Sequence, residues 1–155
     1  MLEITVREAT EADWPALAEL RAKWAAEQLG ARQNHERNDD GAAFESVFSE
    51  WAASNPRITF LAERDGDAIG MVNFLVFNRM PKPDAPPSCW VYVGNAFVLP
   101  DERKRGIGGA LMESALERAR ALGAVRVVLS PSTQSIPFYE RLGFTPATAL
   151  MMQNL

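Results

Sequence analysis

Ile4 and Val6 stand between polar neighbours, and this two-residue period predicts an opening strand. From Trp14 the period lengthens. Trp14, Leu17, Leu20 and Trp24 fall on one face of a helix running to about Gln28, with Thr10 as its N-cap and Asp13 in its first turn. Gly30 to Asp40 holds no apolar side chain beyond Ala31 and reads as an exposed loop. Phe44, Val47, Phe48 and Trp51 then recur at helical spacing, which predicts a second helix over about Gly41 to Ser54.

Two strands follow, Arg57 to Arg64 and Ala68 to Phe77, joined by the hairpin signal Asp65-Gly66-Asp67. The second is nearly continuous in apolar residues, so both of its faces are expected to be covered. Arg79 to Ser88 carries four prolines and no periodicity. It reads as a stiff surface connection that walls one side of a cleft. Cys89 to Leu99 is β-branched and aromatic and ends at Pro100, whereas Gly106 to Leu122 returns to helical spacing. That helix turns Ile107, Leu111, Met112, Ala115, Leu116, Ala119 and Leu122 toward a sheet and stops at Gly123. A buried strand over Val125 to Leu129, a short helix over about Ser135 to Leu142 and a final strand near Ala149 to Asn154 complete the expected order.

With 155 residues, 47% of them hydrophobic, the chain can bury one core, so residues 1–155 are expected to form a single domain. No apolar run approaches the roughly 20 residues that cross a bilayer, and the start MLEITVREAT lacks a signal-peptide pattern, so a cytoplasmic protein is expected. Cys89 and His35 are each the sole residue of their type. No internal disulfide follows, and no metal site is expected. A net charge of −4 argues against general nucleic-acid or membrane binding.

Against that acidic balance, Val98 to Ala110 packs three cations and three glycines into a strand-to-helix turn, V-L-P-D-E-R-K-R-G-I-G-G-A. A helix start presents unpaired N–H groups and the positive end of a dipole, which suits an anion. Gly106, Gly108 and Gly109 remove the Cβ atoms that would hold a phosphate away, while Arg103, Lys104 and Arg105 add charge. The nucleotide-triphosphate loop is excluded, because no Lys is followed by Ser or Thr. The dinucleotide fingerprint fails at Leu111. What remains is R-x-x-G-x-G at Arg103, Gly106 and Gly108, which resembles the acyl-CoA-binding signature of the GNAT superfamily of N-acyltransferases. A second stretch, S-I-P-F-Y-E-R-L-G-F from Ser135 to Phe144, matches that family's F-Y-x-x-x-G-F pattern at Phe138, Tyr139, Gly143 and Phe144.

The resemblance implies an α/β (α+β) fold with a mixed, largely antiparallel sheet of 6–7 strands, a splayed parallel pair and about four flanking helices. It implies acetyl-CoA as cosubstrate. The backbone of Phe97 and Val98 would hold pantetheine, and Arg103, Lys104, Arg105, Gly106, Ile107, Gly108, Gly109 and Ala110 the pyrophosphate. Ser132 and Ser135 stand where relatives often have Asn and Ala, and would also meet the carrier. Tyr139 takes the place of the family's phenol near the sulfur, as general acid. Where many relatives place a Glu, this chain has Tyr92, and no acid lies between Cys89 and Leu99. A water oriented by Tyr92 or Asn95 is therefore ranked above His35 as base. Trp24, His35, Phe44, Phe48 and Trp51 are expected to reach the acceptor.

The reaction so implied is direct acetyl transfer to a primary amine, with a small cationic molecule favoured by the acidic balance and the aromatics between Trp24 and Trp51. Two alternatives stand beside it, acetylation of a protein or peptide and a non-catalytic acyl-CoA sensor. A homodimer is common among proteins of this resemblance, and the oligomeric state is left open.

Overall fold

Asp65 and Gly66, with φ of 53° and 86°, reverse the chain in two residues, the mirror-image turn that suits the twist of a hairpin. They join β2 (Ile58–Arg64) to β3 (Asp67–Asn78) in a computed structural model that describes residues 3–30 and 41–155. β1 (Ile4–Glu8) pairs antiparallel with the other side of β2, and β4 (Cys89–Val98) pairs antiparallel with β3. β5 (Ala124–Leu129) pairs parallel with β4, giving the order β1-β2-β3-β4-β5. The parallel step needs a crossover, which α3 (Ile107–Ala121) supplies.

Side chains alternate across the sheet. Ala62, Val72, Val91 and Val93 meet Ile107, Leu111, Met112, Ala115 and Ala119 of α3 on one face. Leu61, Met71 and Phe97 meet Leu17 and Leu20 of α1 (Trp14–Gly30) on the other. Leu111 and Met112 are fully buried, each contributing about 1.5–3 kcal/mol by leaving water. α2 (Gly41–Ser54) packs on α1 and buries none of its own residues completely. α4 (Ile136–Arg141) sends Phe138, Tyr139 and the following Leu142 and Phe144 against the margin of the α3-side core.

The alternation of β4 breaks once. Asn73 lies opposite Asn95 and Phe74 opposite Val93, so Gly94 is an extra, bulged residue. Glycine suits the place, because a Cβ there would stand 3.0 Å from Asn73 Oδ1. The bulge inverts the strand's faces: Val91 and Val93 face α3 before it, Ala96 and Val98 after it, while Asn95 and Phe97 turn to the α1 side.

α1 is anchored at its start by a charged knot. Arg7 donates from Nη1 and Nη2 to the two Asp13 oxygens at 2.8 Å and from Nε and Nη2 to Glu63 at 3.0 and 2.8 Å. The Thr10 N–H also donates to Asp13 at 2.8 Å, so the expected cap forms, with a 3-10 turn over Glu11–Asp13 before the helix. Arg7 holds the Asp13 carboxyl down to about 2 from its ordinary 3.8. Because the folded value is the lower one, this contribution is complete above pH 4 to 5 and is lost as pH falls through 3.8 toward 2. In urea melts, the stability advantage of the wild type over Asp13→Asn is expected to shrink over that interval and close near pH 2. An advantage independent of pH would remove the ion pair as its cause.

Several expectations are corrected. Five strands are present among the described residues, not 6–7, because residues 149–154 form no strand; Met151 and Leu155 are fully exposed. β5 is therefore an edge strand with no fully buried residue, and Val125 is exposed, contrary to the buried strand expected there. Leu122 lies at the rim rather than under the sheet. No helix among the described residues is long and apolar enough to cross a membrane.

Candidate functional site

The pairing of β4 with β5 runs from Cys89 and Ala124 to Val93 and Leu129 and stops there. Gly94 to Val98 continues with its β5-side edge unpaired, so the parallel pair opens immediately after the bulge. Unpaired strand-edge groups can bond an amide-bearing ligand lying along them.

The strand leads into α3 through a turn in which Lys104 and Gly106 take left-handed φ values of 62° and 81°. A strand residue cannot supply this geometry cheaply, and glycine at 106 can. Such alternation of handedness turns successive N–H groups into one anion-binding concavity. The Ala110 N–H donates to the Gly106 carbonyl at 3.0 Å and is thereby spent. The N–H groups of Ile107, Gly108 and Gly109 lack an intrahelical acceptor. Of the residues expected at the anion site, Ala110 has its N–H engaged within the helix and does not line the groove.

A groove of about 840 Å³ joins these features. Its walls include Gly94 to Val98, Arg103, Lys104, Gly106 to Gly109, Ser132, Ser135 and Tyr139. Arg105 is absent from the lining and lies 3.5 Å from Glu102. Arg103 lines the groove, but its charge is already engaged: Nη2 donates to both Glu27 oxygens at 2.9 and 2.7 Å, and Nε donates to the Val98 carbonyl at 3.0 Å. It clasps α1 to the end of β4, and the Val98 carbonyl is correspondingly taken. Ser132 and Ser135 bond each other at 3.0 Å, with Ser135 Oγ also donating to the Ser132 carbonyl at 2.9 Å.

Tyr139 is half-buried, edge-on to Phe138 and Phe144 at centroid distances of 5.1 and 5.7 Å. Burial raises its phenol above the ordinary 10.0, and its hydroxyl forms no hydrogen bond with the described residues. It is a protonated donor facing the groove.

A second cleft of about 830 Å³ opens between α1, α2 and the sheet, and shares Met71, Gly94 and Asn95 with the first. Phe44, Phe48 and Trp51 line it as a continuous aromatic stripe, ring centroids 6.3 and 5.9 Å apart. Tyr92 lines it and is 41% exposed. Asn95 is 8% exposed, with Oδ1 buried and without a partner among the described residues. Trp24 departs from expectation: it lines the first groove, not this cleft. The 79–88 connection lines neither; the Arg79 N–H donates to the Ser88 carbonyl at 3.0 Å and closes the β3–β4 hairpin. His35 lies outside the described residues. Arg21, Arg57 and Asn73 also line this cleft and were not anticipated. Only the glycine inside β4 hinted at the bulge that assembles the junction.

The pattern of the acetyltransferase (GNAT) family matches residues 14–144. Over 53 residues the chain is 40% identical to a glucosamine 6-phosphate N-acetyltransferase of Trypanosoma brucei brucei, covering 34% of this chain and 36% of that protein. Over 83 residues it is 36% identical to an L-2,4-diaminobutyric acid acetyltransferase of Nocardia farcinica, covering 52% and 39%. The matches thus span well under half the length of these curated relatives. Among solved structures, a predicted acetyltransferase with acetyl-CoA from Clostridium acetobutylicum superposes with a TM-score of 0.73 over 98% of this chain and 96% of the other, at 19% identity.

Proposed function

The chain belongs to the acetyltransferase (GNAT) family, and from that premise we propose that it transfers an acetyl group from acetyl-CoA directly to the primary amine of a small molecule. One observation carries the reading: a groove with an open strand edge, free helix-start amides and a protonated phenol meets a second, aromatic-lined cleft at Gly94 and Asn95. The two relatives named for glucosamine 6-phosphate and diaminobutyric acid support a small acceptor.

Acetyl-CoA supplies the activated acyl group, and the open edge and amide cradle fit its two ends. The β5-side edge of Gly94 to Val98 lies alongside the pantetheine arm, and the N–H groups of Ile107, Gly108 and Gly109 hold the pyrophosphate. Lys104 adds charge. Tyr139 donates its proton or a hydrogen bond to the departing sulfur as the C–S bond breaks and the C–N bond forms. An amine of pKa about 10 is almost wholly protonated at neutral pH, so it must lose a proton before attack. Of the carboxylates lining the groove, Glu27 is paired with Arg103 and Glu102 with Arg64 and Arg105. In the acceptor cleft the one carboxylate among the described residues is Glu11, which is exposed, so the proton is assigned to water held by Asn95 and Tyr92, at the junction, rather than to Glu11.

Incubation with acetyl-CoA and a broad amine panel is expected to release free thiol and N-acetylated product in equal amounts. Coenzyme A binding without turnover across the panel would favour the sensor reading. Absence of binding would overturn both.

A further inference from the structure

We propose that the acceptor is an amine that also carries an anionic oxygen group, a carboxylate or phosphate, and that Arg21 and Arg57 hold that group. The inference rests on reading the second cleft as the acceptor site, and it reverses the cationic acceptor expected from whole-chain charge. Among the described residues, the charged side chains lining the cleft are Arg21, Arg57 and Glu11, a local balance opposite in sign to that of the chain.

Arg7, Arg64, Arg103, Arg105 and Arg118 each lie within ion-pair distance of a carboxylate. Arg21 and Arg57 have no such partner among the described residues, although both are partly buried. Arg79, Arg120, Arg126 and Arg141 also lack a carboxylate partner among the described residues, and Arg79 and Arg126 lie over Trp90, but of the unpaired arginines only Arg21 and Arg57 line this cleft. Each of these two lies over a tryptophan: Arg21 at 3.9 Å from the Trp24 ring centroid and Arg57 at 5.1 Å from that of Trp51. A guanidinium stacked by its face keeps its N–H edge for a planar or tetrahedral oxyanion. Arg57 spends one donor on the Pro56 carbonyl at 3.3 Å, and Arg21 spends none on the described residues. Burial lowers the proton affinity of Arg21, a cost that an arriving anion would relieve. They approach from different elements, α1 and the residue before β2. The junction at Asn95 stays open to the amine end of the same molecule.

The test compares matched pairs: α-amino acids with their amides, aminosugar phosphates with the free aminosugars, and polyamines as the cationic arm. With the wild type, kcat/KM for the anionic member of a pair is expected to exceed that for its neutral partner by about 30-fold or more. Arg21→Gln and Arg57→Gln should each reduce that ratio by about tenfold, and Arg21→Lys should restore part of it. The amino acid and sugar arms decide between carboxylate and phosphate. Preference for neutral amines or polyamines, or a ratio unchanged in both Gln variants, overturns the proposal and leaves acetyl transfer standing. Should no amine be turned over, calorimetry on the coenzyme A-saturated protein decides. Arginine-dependent binding of the anionic members upholds the proposal while the transfer reading falls; binding without that dependence overturns it.

Discussion

Replacing Tyr139 by Phe is expected to lower kcat by about 10²-fold or more, while KM for acetyl-CoA moves by no more than about a factor of two. The substitution removes one oxygen from a ring whose packing against Phe138 and Phe144 is otherwise retained, so the groove keeps its shape. That hydroxyl forms no hydrogen bond with the described residues, and its removal therefore orphans no described partner. On the proposed function its value lies in the donor it presents as the sulfur acquires charge. Because burial raises the phenol above 10.0, it stays protonated throughout the neutral range. The loss should therefore be constant from about pH 6 to 9, and any alkaline limb assigned to Tyr139 should lie above its ordinary position and vanish in the variant. Stopped-flow or steady-state thiol release measures both. An unchanged kcat would remove Tyr139 from the chemistry.

The second large effect is on the carrier's charged end. Gly109→Asp is expected to weaken coenzyme A binding by about 10²-fold without lowering the melting temperature. A Cβ at Gly109 meets nothing within 4 Å, so the protein itself offers no steric objection. A carboxylate in the first turn of α3 is favourable for the helix, by about 0.3–1 kcal/mol. The same carboxylate faces the groove and repels a pyrophosphate there, an opposition of several kcal/mol at short range in a partly buried site. Stability and affinity thus move in opposite directions, which separates loss of the site from damage to the fold. Calorimetric titration with coenzyme A alongside a thermal melt reads the two together. Undiminished affinity would place the pyrophosphate elsewhere.

What the sequence made legible follows from how local each signal is. Asp65-Gly66, the helical spacing from Ile107 to Ala119, and the glycines opening α3 act over a few residues, and each element formed where its residues demanded. The groove around Tyr139 was legible because two motifs mark its walls. The junction was not, because strict alternation along β4 would put Asn95 on the same face as Val93, and only pairing with Asn73 reveals the extra residue. Trp24 and the phenylalanines of α2 share a spacing pattern yet line different cavities, because the first part of α1, with Trp14, Leu17 and Arg21, lines the second cleft and its later part, with Trp24 and Glu27, lines the groove. Ala110 was placed with the anion-binding residues because it closes the glycine-rich stretch; that its N–H makes the helix's first internal hydrogen bond is not legible from the residue type. The strand expected over 149–154 had apolar residues but no partner to complete its ladder.

The narrow seam where the cavities touch bears on timing. Met71, Gly94 and Asn95 are the residues common to both, so on the proposed function carrier and acceptor sit in separate chambers and need not take turns. The sole cysteine, Cys89, is buried at the first residue of β4 and lines neither cavity, so it is not placed to carry the acyl group. One inserted residue in a strand thus favours a ternary encounter over a ping-pong cycle.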